Sequence, residues 1–309
     1  MSRVTNLLSS ATRRRLRLPE RGVEIALLDF GGTGPLALAH HANGFCKGMW
    51  AEVAQLLRDR LRIVAFDARG HGDSSCPEGS SAFAWPEFAR DYAAVASLLV
   101  AETGAPLALG IGHSFGGTSL LGAAAEHPEL FERLLLIDPV TPPPPPLRGP
   151  ERAEHVKQLA DGARRRRSDW LSRSEARSWF LERPFFSSFT PAALDLYVLD
   201  GLRERADGGV ELKCPGAVEA AVFEQGEGTD LGAWAKGLSV PTLWLWAERG
   251  NFPLALHEAL AASMRAARIE RVSAGHLMPM ERPGLAAEAA LRLLAAAPVH
   301  GFRERGSGG

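Results

Sequence analysis

Short apolar runs alternate with helically spaced segments along most of the chain. Val23 to Phe30 reads as a strand, Gly31-Gly32-Thr33-Gly34-Pro35 as a turn, and Leu36 to His40 as a second strand. A helical pattern follows near Met49 to Asp59, then a strand from Leu61 to Phe66. Phe88, Tyr92, Val95, Leu98 and Leu99 recur at helical spacing within Trp85 to Glu102. Pro106 to Ile111 is a buried-type strand, Thr118 to His127 a helix, and Leu134 to Ile137 a strand stopped by Asp138-Pro139. The same grammar resumes with a strand at Val240 to Trp246, a helix near Leu254 to Met264, a strand near Arg268 to Val272 and a helix from about Gly284 to Ala296. Strands alternating with helices predict an α/β fold with a mostly parallel sheet flanked by helices.

Between these two blocks the pattern changes. Thr141 and the prolines from Pro142 to Pro146 predict a stiff extended segment, because proline fits neither a helix interior nor a sheet ladder. From about Pro150 to Leu238 the chain is charged, contains Trp and is mostly helical in pattern. It reads as a helical cap inserted after the Leu134 to Ile137 strand, the one that follows the Thr118 to His127 helix. Within it, Arg164 to Arg167 reads as a solvated helix face. The predicted organisation is a basic leader at 1–20, a core at 21–140, the cap at 141–238, the rest of the core at 239–298 and a disordered tail at 299–309. Ser114, the His41-Ala42-Asn43 turn, Asp138, Glu248 and His276 all follow predicted strands, so they can converge on the carboxyl rim of the sheet, where ligands of such folds bind.

Composition narrows the function without naming it. The chain has 309 residues, 46% hydrophobic and 23% charged, with a formal net charge of −1. No global field recruits nucleic acid or an anionic membrane. No apolar run approaches the ~20 residues that span a bilayer. Cys46, Cys76 and Cys214 are widely spaced, which argues against a zinc site or disulfide framework and suits a reducing, cytoplasmic setting. No cofactor is expected: His276 lacks metal-ligand spacing nearby, and no dinucleotide fingerprint occurs.

Gly112-His113-Ser114-Phe115-Gly116 lies between a strand and a helix, the setting of a nucleophile elbow, in which a tight turn lifts the serine hydroxyl above the sheet. Three further motifs stand with it: His41-Ala42-Asn43-Gly44 with Trp50, Asp67-Ala68-Arg69-Gly70-His71-Gly72-Asp73-Ser74, and Gly275-His276-Leu277-Met278-Pro279-Met280-Glu281-Arg282-Pro283. From about Val23 to Ala297 the chain resembles the α/β-hydrolase superfamily, in particular its cap-bearing esterase, haloperoxidase and dehalogenase members. That resemblance implies Ser114 as nucleophile and His276 as general base. One oxyanion donor should be the backbone N–H of Phe115, the residue after the nucleophile. The resemblance supplies the second from Asn43, with Gly44 or Phe45 as alternatives and the Asn43 side chain as a further donor.

The acid departs from the commonest pattern. Resembling enzymes often carry Asp in a turn where this chain has Gly250. Asp138 is favoured, on the precedent of relatives that take their acid from that strand end; Glu248 is the alternative. Asp67, Arg69 and His71 belong to a scaffold turn, and His40, His41, His71 and His113 read as structural. The expected activity is cleavage of a carboxylic ester or related acyl compound, a small molecule with an apolar moiety suggested by the cap aromatics. C–C bond hydrolysis or a lyase reaction on the same triad is one alternative. A non-catalytic ligand-binding homologue is the alternative from another class.

Overall fold

A computed structural model describes residues 3–296. The secondary structure begins with α1 (Arg3–Ser9), β1 (Thr12–Leu18), β2 (Val23–Asp29) and β3 (Leu36–His40). It continues through α2 (Ala51–Leu57), β4 (Arg62–Phe66), α3 (Trp85–Thr103), β5 (Leu109–His113), α4 (Phe115–Glu126) and β6 (Leu134–Ile137). The inserted segment carries α5 (Pro150–Arg165), β7 (Asp169–Trp170), α6 (Arg173–Leu181), α7 (Pro191–Asp200), β8 (Leu202–Glu204), β9 (Val210–Leu212), α8 (Gly216–Glu224) and α9 (Leu231–Ala235). The core then closes with β10 (Thr242–Arg249), α10 (Leu254–Ser263), β11 (Ala267–Gly275), α11 (Met278–Glu281) and α12 (Pro283–Ala295).

Eight strands form one sheet in the order β1-β2-β4-β3-β5-β6-β10-β11. Only the β1–β2 and β2–β4 pairs are antiparallel; all the others are parallel. The central strands are apolar throughout because both of their faces are covered. Leu36 and Leu38 pack into one buried cluster while Ala37 and Ala39 pack into the other. Likewise Leu134 and Leu136 face the first cluster, and Leu135 and Ile137 the second. α3, α4 and α10 supply residues to the first cluster; α2 and α12 supply the second.

Three features differ from the sequence reading. The stretch read as a leader joins the fold: β1 pairs along its length with β2, from Thr12 opposite Asp29 to Leu18 opposite Val23. Its arginines alternate, with Arg13, Arg15 and Arg17 exposed and Arg14, Leu16 and Leu18 turned inward. Acidic partners on other elements take the charges, Arg15 at 2.8 Å from Glu24 and Arg14 at 3.0 Å from Glu102. An edge strand built of arginine lacks the apolar alternation that marks a strand in sequence, and only its partners reveal it. Secondly, the cap contains a small sheet in the order β7-β9-β8 beside its helices. Thirdly, Arg166 is not part of a solvated face. Just past the end of α5 its side chain turns inward to Glu219, at 2.7 Å, and to the Cys214 carbonyl, at 3.0 Å. The stretch read as a disordered tail lies outside the described residues.

Cap and core are joined by a buried charge cluster. Lys47 Nζ lies 2.5 Å from Asp67, 2.8 Å from Asp73 and 3.5 Å from Asp200 at the end of α7, and Lys213 lies 2.6 Å from Asp73. Burial would raise the Asp73 carboxyl, but Lys47 and Lys213 outweigh it and hold its pKa down to about 2. A carboxyl depressed in the folded state contributes stability above its unfolded pKa and loses it as pH falls through the folded value. The Asp73 contribution is therefore expected to be complete above about pH 5 and gone near pH 2. Urea midpoints of wild type and Asp73→Asn should differ at pH 6 and converge on acidification; a gap that does not change with pH would contradict this.

Candidate active site

β5 runs into α4 with one residue between them. That residue, Ser114, has φ 54° and ψ −123°, a conformation outside the usual regions for a side-chain-bearing residue. The turn requires glycine beside it: a Cβ on Gly112 would lie 2.4 Å from the Gly116 carbonyl oxygen. Helix α4 starts at Phe115, earlier than the apolar spacing suggests; the Gly117 and Thr118 N–H groups donate to the Ser114 carbonyl, which leaves those of Phe115 and Gly116 without intrahelical partners at the start of the helix.

His276 follows β11. Its Nε2 lies 2.9 Å from Ser114 Oγ, and its Nδ1 lies 2.6 Å from Asp138 Oδ2. Asp138 is fully buried directly after β6, and its Oδ1 accepts the Ala247 N–H at 3.1 Å. A carboxylate there accepts a hydrogen bond from Nδ1–H, which fixes the proton on Nδ1 and leaves Nε2 as an acceptor for the serine hydroxyl. Ser114 and Asp138 are the only non-glycine residues with positive φ among the described residues. The two strained positions are thus the ends of one hydrogen-bond chain.

The alternative acid is elsewhere. Glu248 is exposed at the end of β10 and makes no hydrogen bond or ion pair among the described residues. Glycine at position 250 follows from crowding. A Cβ there would lie 2.7 Å from Asp138 Oδ2, so Asp138 occupies the space that a side chain from position 250 would enter. Gly250→Ala is expected to displace the Asp138 carboxylate and lower kcat while leaving the fold intact. The check is kcat together with the far-ultraviolet circular dichroism spectrum.

The loop carrying His276 is tied from two sides. Glu281 accepts the Gly275 N–H at 2.9 Å and the Leu277 N–H at 3.2 Å, which accounts for the glutamate of that motif. His113 donates from Nε2 to the His276 carbonyl at 2.8 Å, and burial pushes its pKa down to about 3, so it stays neutral. His113→Leu strands that buried carbonyl, at a cost of about 1–3 kcal/mol. We expect kcat to fall by roughly 10-fold, because the loop carrying His276 loses one of its two ties. An unchanged kcat in a folded variant would show that Glu281 suffices.

Of the proposed oxyanion donors, two are already engaged. The Gly44 N–H donates to His71 Nε2 at 3.1 Å, and the Phe45 N–H donates to the Ala42 carbonyl at 3.1 Å. The Asn43 side-chain amide is engaged as well, donating to the Glu219 carbonyl of α8 at 3.0 Å. That leaves the backbone N–H groups of Asn43 and Phe115. The remaining histidines have structural partners. His41 Nε2 accepts the Ala68 N–H at 3.0 Å, and burial holds His40 near 3 and His71 near 4. Asp67 accepts from Lys47 and from the Asp73 N–H, and Arg69 grips Asp91 through two hydrogen bonds of 2.6 and 2.8 Å.

Above Ser114 and His276 lies a cavity of about 440 Å³, whose walls include Trp85, Phe115, Val140, Val222 and Phe252, with Arg152, His155 and Glu219 among its polar groups. The cap aromatics contribute less to it than their number suggests. Trp170 and Phe180 are buried in the cap's own core, Trp234 packs against α4, and of the cap aromatics Phe185 and Phe223 line this cavity. The sequence reading missed Lys47 and Glu219, whose signals are lone charges without spacing, and Arg166, one of four consecutive arginines. Among the described residues no group of three His, Cys, Asp or Glu side chains could hold a metal ion, and no helix is long and apolar enough to cross a membrane.

Comparison with known proteins places this geometry in context. The chain is 33% identical over 107 residues to 2-(acetamidomethylene)succinate hydrolase of Mesorhizobium japonicum, covering 35% of this chain and 36% of that protein. It is 34% identical over 108 residues to fluoroacetate dehalogenase of a Burkholderia species, covering 35% of each. These matches thus span about a third of the length of those relatives. The crystal structure of E-2-(acetamidomethylene)succinate hydrolase superposes with a TM-score of 0.76 at 21% identity, covering 93% of this chain and 100% of that one. The thioesterase domain from the curacin biosynthetic pathway gives 0.73 at 21% identity, covering 93% and 99%. At that identity the likeness is one of fold. A sequence model of the alpha/beta hydrolase family matches residues 37–289, which takes in every element around Ser114, Asp138 and His276. From β3 into α12, this chain belongs to the alpha/beta hydrolase family.

Proposed function

We propose that the protein is a serine hydrolase that cleaves a carboxylic ester or related acyl compound through an acyl-enzyme on Ser114. The observation that carries this reading is the unbroken chain from Asp138 through His276 to Ser114 Oγ, with contacts of 2.6 and 2.9 Å. His276 takes the hydroxyl proton as Ser114 attacks the carbonyl, and Asp138 stabilises the imidazolium that forms. The oxyanion develops beside the N–H groups of Asn43 and Phe115, each donor contributing roughly 3–4 kcal/mol to transition-state stabilisation. Collapse expels the alcohol, protonated by His276. Water activated by the same imidazole then releases the acid. The apolar walls of the cavity fit a small-molecule substrate with an apolar moiety.

Serine at position 114 counts against carrying over dehalogenation from the relative named above. Displacement of halide by a serine hydroxyl leaves an ether that activated water does not hydrolyse, whereas an aspartate would form a hydrolysable ester. The test is fluorophosphonate labelling of the purified protein with peptide mapping, alongside turnover of 4-nitrophenyl esters. Single-site labelling at Ser114 with ester turnover is expected. A folded protein that neither labels nor turns over esters would overturn the proposal in favour of a ligand-binding homologue.

A further inference from the structure

The catalytic cavity has a neighbour. A second cavity of about 390 Å³ lies between the cap and the core loop after β3 and shares a wall with the first, since Asn43, Phe45, Phe185 and Glu219 line both. Its chemistry is different: Arg166, Arg167 and Arg183 line it together with Trp179, Phe186 and Tyr197, and Glu219 is its one carboxylate.

The three guanidinium groups are unequally satisfied. Arg167 pairs with Glu175 at 2.7 Å and lies over the Trp170 ring. Arg166 pairs with Glu219, yet its Nε is buried without a hydrogen-bond partner. Arg183 stacks on Trp179, 4.3 Å from guanidinium carbon to ring centroid, and makes no side-chain hydrogen bond or ion pair among the described residues. A guanidinium held over an aromatic face without a hydrogen-bond partner keeps N–H groups free, and guanidinium N–H pairs receive an oxyanion in bidentate fashion. An apolar, Ser114-bearing cavity therefore lies directly against a positively charged, aromatic one, with four residues common to both walls.

We propose that the second cavity is an anion-holding subsite of the catalytic pocket, and that the substrate is an acyl compound whose apolar body ends in a carboxylate or phosphate group. The substrate class rests on the serine hydrolase reading; the anion site itself does not. Calorimetric titration of the full-length Ser114→Ala variant tests it, using monomethyl and dimethyl esters of adipic, suberic and sebacic acids. At the best chain length the anionic half-ester should bind at least about tenfold tighter than the neutral diester. Added Arg183→Gln should bring that ratio toward one, and added Arg167→Gln further still. Octanoate and octyl phosphate, titrated side by side, identify which anionic head is preferred. A ratio near one at every length, no binding of any half-ester, or a ratio that survives both arginine changes would overturn the inference. Labelling of wild-type Ser114 without an anionic preference removes the subsite alone. Anionic preference without labelling removes the hydrolase reading and leaves the subsite.

Discussion

Ser114→Ala is expected to abolish fluorophosphonate labelling and to lower kcat on 4-nitrophenyl esters by about 10⁶-fold, the scale seen when a triad nucleophile is removed. The reason is local. Among the described residues Ser114 Oγ is the only hydroxyl hydrogen-bonded to His276 Nε2, and neighbouring Ser119 and Thr118 donate to the Phe115 and Val140 carbonyls instead. No second side chain can take over the attack. The residual rate should reflect the backbone donors and substrate positioning alone. The substitution relieves rather than adds crowding, so the thermal midpoint should hold or rise. A variant that keeps more than about a hundredth of wild-type kcat would show that the acyl group is not carried on Ser114.

Asp138→Asn is the second large effect, expected to cost about 10⁴-fold in kcat. The amide can occupy the same space, but it offers His276 the wrong partner and favours the tautomer with its proton on Nε2. Glu248→Gln serves as the comparison and should stay within about twofold of wild type, since an exposed side chain with no partner has nothing to lose. A further variant exploits Gly250. Its missing Cβ would lie 2.7 Å from Asp138 Oδ2, so a carboxylate built from position 250 would arrive where His276 Nδ1 now finds its acceptor. Glycine at 138 also suits the positive φ of 41°. The pair Asp138→Gly with Gly250→Asp should therefore recover part of the activity that Asp138→Asn loses. Steady-state kinetics of the four proteins decide it: equal losses in Asp138→Asn and Glu248→Gln, or no recovery in the pair, would place the acid elsewhere.

The elbow turn and the placement of His276 were legible because their requirements are local. A serine flanked by Gly112 and Gly116 between a strand and a helix suits a tight strand-to-helix turn and little else, and His276 stands in a motif whose Glu281 reaches back only a few positions to Gly275 and Leu277. The oxyanion assignment was legible only in part. Asn43 is the first choice from sequence, with Gly44 and Phe45 as the alternatives; the N–H groups of those two are taken by His71 Nε2 and the Ala42 carbonyl. Arg166 was hidden inside a run of four arginines. Sequence treats these as equals, whereas the end of α5 turns one of them inward to Glu219.

By itself the sequence determined the alternation of buried strands and covering helices, the position of the inserted cap, and the residues that end the strands on the carboxyl rim. Those features rest on side-chain spacing and on glycine and proline stereochemistry, which act over a few residues. Only the tertiary structure decided that β1 completes the sheet, that the Asp138 carboxylate rather than that of Glu248 faces His276, and that cap and core enclose a positively charged cavity beside the apolar one. Each of these depends on groups far apart in the chain; Asp138 and His276, for example, are 138 positions apart. Their meeting follows from strand order: β10 lies between β6 and β11, so the loops after β6 and β11 emerge on the same rim and meet over the end of β10.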